Sequence, residues 1–132
     1  MTTTSLGRES ILVVDEVEET RDAIEKLLAA DGYRVIASRD EQGAIEIGRR
    51  RRPELILMSR GRQSGDMVAT VRRIRDQACP GRRVPVVIFS VETIAEGAEV
   101  DIGENTHLVH PDNFDQLRSL VRRLLHQIPY PP

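Results

Sequence analysis

Short apolar runs rich in Val and Ile alternate along this chain with longer segments whose apolar residues recur every three or four positions. The first pattern is that of strands buried on both faces, and the second that of helices with one face turned inward. Residues 11–14 (ILVV) predict a first strand, and Thr20, Ile24, Leu27 and Leu28 then mark one face of a helix ended by Gly32. Residues 33–37 predict a second strand. Ala44, Ile45 and Ile47 predict a second helix running into the arginines before Pro53, since proline disfavours helix at the residue ahead of it. Residues 55–58 predict a third strand, and Met67, Val71, Ile74 and Ala78 a third helix before the turn Cys79-Pro80-Gly81. Residues 86–89 predict a fourth strand, followed by a weakly patterned helix over 92–99. Leu108 and Val109 supply a short fifth strand, and Phe114, Leu117, Val121, Leu124 and Ile128 a last amphipathic helix that stops at Pro129.

Five strands alternating with five helices predict a doubly wound parallel sheet with helices on both faces, because right-handed crossovers lay successive helices over the sheet. With strand order 2-1-3-4-5 the fold class is flavodoxin-like α/β. Open sheets of this kind place their chemistry in the crevice at the strand carboxyl ends. The residues expected there are Asp15 and Glu16 after the first strand, Ser59 at the tip of the third, Ser90 after the fourth and His110 after the fifth.

At 132 residues the chain suits one domain. The expected layout is a disordered tail over 1–9, a folded unit over 10–128 and a Pro-rich tail over 129–132. The balance of charge is slightly acidic, at −2. No apolar run approaches the roughly 18 residues of a membrane span, and the polar opening lacks the pattern of a secretory signal, so a cytoplasmic location is expected and no membrane partner. Cys79 is the single cysteine, with no neighbour at metal-ligand spacing. Lys26 is the single lysine, so chemistry needing a lysine amine has one candidate, lying inside a predicted helix.

Four segments carry a resemblance: ILVVDE with its acidic pair, the strand RRPELILMS, the strand PVVIFS ending in a hydroxyl, and LVHP near the carboxyl end. Together they resemble the CheY-like receiver domains of bacterial response regulators, over 10–128. The resemblance implies two-component (phosphorelay) signalling. In such receivers the acidic pair and an aspartate at the end of the third strand bind magnesium and the aspartate accepts a phosphoryl group. A Thr or Ser and a Lys contact that group, and the switch reorganises the face of helix four, strand five and helix five. Asp15 and Glu16 match the acidic pair and Ser90 the hydroxyl. Ser59 stands at the phosphoacceptor position, His110 at the lysine position and His107 at the usual switch aromatic.

The departures have physical consequences. A carboxylate can attack phosphorus and ligate magnesium, whereas an unactivated hydroxyl is a poor nucleophile and a weak ligand. No metal or other cofactor is expected beyond residual magnesium at Asp15 and Glu16, which can equally cap the following helix. Ser59 reads as a neutral filler relieving repulsion among carboxylates. His110 is expected beside the acidic pair as its counter-ion.

The arginines at 49–52, with Arg72, Arg73, Arg75, Arg82 and Arg83, are scattered over several elements of a net acidic chain poor in aromatics, which favours solvated faces over nucleic-acid binding. Arg118, Arg122 and Arg123 on the last helix are expected to face a partner protein. The resulting reading is a degenerate pseudo-receiver, not an enzyme, acting as a phosphorylation-independent interaction module. Its partner would be a signalling protein or a component of a histidine-kinase pathway, or a second copy through the helix four, strand five and helix five face. Two alternatives stay open: a divergent receiver still switched by a phosphoryl group or anion, and an Arg-rich nucleic-acid binder.

Overall fold

The computed structural model describes residues 9–59, 66–89, 91, 93–110 and 113–126. Its sheet holds β1 (Ser10–Val14), β2 (Arg34–Ser38), β3 (Leu55–Ser59), β4 (Val86–Phe89), β5 (Glu99–Asp101) and β6 (Thr106–Val109) in the order β2-β1-β3-β4-β6-β5. All neighbours run parallel except β5, which lies antiparallel to β6 at the edge. The helices are α1 (Glu18–Ala30), α2 (Glu41–Arg51), α3 (Met67–Ala78) and α4 (Phe114–Leu125). Setting β5 aside, the order is the expected 2-1-3-4-5.

Successive residues of a strand point to opposite faces, and the continuous apolar runs therefore feed two cores at once. Leu12, Val14, Ile56, Met58, Val86 and Ile88 pack with Ala44 of α2 and Val71, Ile74 and Ala78 of α3. Ile11, Val13, Leu55, Leu57, Val87 and Val109 pack on the other face with Ile24 and Leu28 of α1 and Leu117, Leu120 and Val121 of α4. Gly48 lets α2 and α3 approach closely, since a Cβ there would stand 2.7 Å from that of Ala78. Asp40, Asp66 and Asn113 cap α2, α3 and α4 by accepting from the amides of Gly43, Ala69 and Gln116.

The expected helix over 92–99 is absent from the described residues of that stretch. Turns occupy 93–98, with Gly97 at φ 86, and the chain then enters β5. Its apolar residues are too few and too badly spaced for a buried helical stripe, and β-branched Val100 finds Leu108 as a strand partner instead. Gly103, Glu104 and Asn105, all with positive φ, turn β5 back into β6. The described residues thus form six strands and four helices. α4 ends at Leu125; Ile128, residues 1–8 of the expected amino-terminal tail and the tail over 129–132 lie outside the described residues. The missing helix also removes one element of the face through which a homodimer was expected.

Candidate functional site

The carboxyl ends of β1 and β3 lie side by side, because those strands pair directly, with Val14 opposite Met58. Asp15 follows β1 and is 2% exposed. Its amide donates to the Ser38 carbonyl at 3.0 Å, its Oδ1 accepts from the Val17 amide at 2.9 Å, and its carbonyl accepts from Arg21 Nη1 at 2.9 Å. Burial raises the Asp15 pKa above the ordinary carboxylate value. The Val17 amide, the Ser59 hydroxyl hydrogen bond and the charge of Arg21 work against that rise, and Glu16 adds to it. Glu16 itself is exposed. Ser59, the last residue of β3, is 7% exposed and stands opposite Phe89 of β4.

The structure brings Asp15, Glu16 and Ser59 together. Ser90 lies outside the described residues. His110 is engaged elsewhere: its Nδ1 lies 3.1 Å from the Ile94 carbonyl, its amide donates to Ala98, and its carbonyl accepts from Gly97. These contacts fasten it to the 94–98 turn. The cation that acts on Asp15 is Arg21. Sequence reading passed over Arg21, whose signal was a basic residue in the opening turns of a helix, where the macrodipole favours acids.

His107 lies in β6 between Val87 of β4 and Asp101 of β5, half-buried, with its Nε2 buried and unpartnered among the described residues. Beside it, burial works to raise the Glu99 pKa. Hydrogen bonds from Arg123 (2.9 Å) and Gln116 (3.0 Å), with the charges of Arg123 and His107, outweigh burial and hold that carboxylate below its usual range.

Two of the three arginines expected to face a partner are thus spent within the molecule. Arg123 holds Glu99, and Arg118 grips both oxygens of Asp31 at 2.9 and 2.6 Å as well as Asp115 at 3.1 Å. Arg122 is exposed. The α3 arginines act similarly. Arg73 grips Glu41, Arg72 donates to Thr106 Oγ1 and the Gly103 carbonyl, and buried Arg75 donates to the Glu104 carbonyl. Cys79 is buried, and burial pushes its thiol pKa up. Among the described residues no three His, Cys, Asp or Glu side chains gather closely enough to hold a metal ion, and no helix is long and apolar enough to cross a membrane.

No family model matches the chain. Among curated proteins it is 26% identical over 115 residues to the KDP operon transcriptional regulatory protein KdpE of Escherichia coli, covering 86% of this chain and 49% of that protein. It is 24% identical over 121 residues to sporulation initiation phosphotransferase F of Bacillus subtilis, covering 89% of this chain and 94% of that one. It spans about half the length of the transcriptional regulators it matches. Among solved structures, the receiver domain of the sensor histidine kinase PA1611 of Pseudomonas aeruginosa superposes with a TM-score of 0.67 at 28% identity, over 89% of this chain and 97% of that one. That structure holds a magnesium ion in its active site cleft.

The chain resembles CheY-like receiver domains over most of its length. In that fold β6 is the fifth parallel strand. Antiparallel β5 and the turns before it occupy the described residues between the fourth and fifth parallel strands, where the weak apolar pattern predicted a helix.

Proposed function

We propose that this receiver is a degenerate one that signals by touching a partner protein and not by accepting a phosphoryl group. The observation that carries the reading is Ser59, a buried neutral hydroxyl at the tip of β3, beside Asp15. A hydroxyl there cannot form an acyl phosphate. Attack by the serine itself would need an activating base, and neither the single lysine nor His110, fastened to Ile94, is placed to act as one.

Magnesium fits this donor set poorly. The ion prefers octahedral oxygen coordination anchored by carboxylates. The crevice offers Asp15, Glu16 and a neutral hydroxyl: Asp15 Oδ1 is taken by the Val17 amide, which leaves its buried Oδ2, without a hydrogen-bond partner among the described residues, as the one oxygen of that carboxylate able to turn to an ion. The protein is accordingly assigned no metal, no cofactor and no catalytic activity. Its partner is a signalling protein of a two-component pathway.

The test is an amide NMR titration with magnesium and then beryllofluoride, a phosphoryl mimic. The wild type should show no saturable response at Asp15, Ser59 or α4. The Ser59→Asp variant should gain magnesium affinity by about tenfold or more, since a third carboxylate completes the donor set. Saturable wild-type shifts spreading from the crevice into α4 would overturn the proposal.

A further inference from the structure

The edge of the sheet formed by β5 combines three features. The first is an open ladder. The Ala98 carbonyl accepts from the His110 amide and the Ile102 amide donates to the Thr106 carbonyl, so in the antiparallel alternation the N–H and C=O of Glu99 and Asp101 point away from β6. β5 is the terminal strand, and all three of its residues are exposed. It carries no proline and no lysine, so that only its three-residue length and its two carboxylates guard it.

The second feature is apolar. Only three large apolar side chains stand exposed among the described residues, and two of them, Val100 at 38% and Ile102 at 37%, belong to this edge. They flank Asp101, on the opposite side of the strand from its carboxylate. No helix forms in the described part of 92–99 to cover them.

The third feature is charge. From Val84 to Leu117 the sequence holds seven Asp and Glu and no Lys or Arg, although the whole chain is only −2, so the remainder is net basic. Arg123 and Gln116 hold Glu99, and Arg72 and Arg75 approach Glu104. Asp101 and Glu96 have no cationic partner among the described residues.

We propose that β5 is a docking edge that adds an extended, basic segment of a partner protein as a seventh strand. Main-chain hydrogen bonds to Glu99 and Asp101 give the pairing, alternate apolar side chains of the guest cover Val100 and Ile102, and its Lys or Arg side chains meet Asp101 and Glu96. A second copy is a poor occupant, because antiparallel pairing of β5 with itself would set Glu99 and Asp101 against their own like charges. The proposal deepens the protein-interaction reading by naming the partner's chemistry, and it does not depend on how Ser59 behaves.

The experiment is an amide NMR titration of the full chain with a blocked peptide of alternating valine and lysine. Saturable shifts at 99–102 are expected, weakening as salt is raised. Asp101→Pro removes an outward N–H while sparing the bonds of Ala98 and Ile102, and should weaken binding by about tenfold or more. Glu96→Lys with Asp101→Lys should abolish binding at low salt without disturbing the spectrum of the core. The proposal is overturned by shifts that map elsewhere, by equal binding of an all-lysine or a valine–glutamate peptide, by indifference to both variants, or by a wild type that pairs with itself through β5. A beryllofluoride response at Asp15 and Ser59 in the same samples would refute the phosphorylation-independent reading and leave the edge result standing.

Discussion

The two ends of the sheet are built on different terms. At the β2-β1-β3 end the central strands are apolar but for Ser10 and Ser59 and are covered on both faces, and the helices over them are eleven to thirteen residues long with buried stripes. At the β6-β5 end the last strand is three residues long, wholly exposed and antiparallel, and is tied down by side chains: Arg123 and Gln116 on Glu99, Arg72 and Arg75 on the turn. One end is held by burial and the other by polar ties. Burial fixes a region rigidly, whereas exposed polar ties contribute little each and leave a region free to exchange partners.

The largest expected effect separates the two ends directly. Ile56→Ala, in the core of β3, should cost about 2–5 kcal/mol by chemical denaturation. Val100→Ala, on exposed β5, should cost about 0.5 kcal/mol or less. Similar costs at both sites would break the comparison.

A smaller effect comes from Asp31, where α4 is clasped to the end of α1. The Arg118 hydrogen bonds hold the Asp31 pKa below its ordinary 3.8 against the opposing pull of burial. A depressed carboxylate stabilises fully above its unfolded pKa and loses that contribution as pH falls through the folded value. Asp31→Asn should therefore lower the melting temperature at neutral pH, with the gap to wild type closing in acid. A gap that persists below the folded pKa would assign the effect to packing.

The smallest effect has the opposite sign. The Asp15 pKa is raised by burial, so ionising it as pH climbs above 3.8 costs the fold stability. Asp15→Asn keeps the Oδ1 acceptor for Val17 and should raise the melting temperature slightly at neutral pH, the advantage vanishing in strong acid. A loss of stability would mean that Arg21 needs the charge more than the core resents it.

The buried end was legible because period and burial coincide there. A run such as Leu55–Ser59 can only be a strand covered on both sides, and the register that sets Ser59 beside Asp15 follows from strand order. The other end was illegible for a physical reason. Residues 92–101 hold few apolar side chains, and what decides their structure is a turn of three positive-φ residues and a backbone partner in β6, neither of which has a periodic signature. The same limit applies to the arginines. Arg72 was read as part of a solvated face, Arg118 as facing a partner, and Arg21 was passed over, while their acceptors lie outside their own helices, as far as 87 positions away. The Nδ1 contact of His110 with the Ile94 carbonyl was equally invisible, because that turn stands where a helix was expected.

That span between Arg118 and Asp31 also bears on the order in which the molecule is made. Chains fold from the amino terminus as they emerge from the ribosome. In the order β2-β1-β3-β4-β6 every new parallel strand adds beside one already synthesised. The α1 face of that growing sheet stays open, however, until α4 is released and Arg118 reaches back to Asp31. The last helix is the clasp of the nascent chain, and until it closes Leu57, Val87 and Val109 lack their cover.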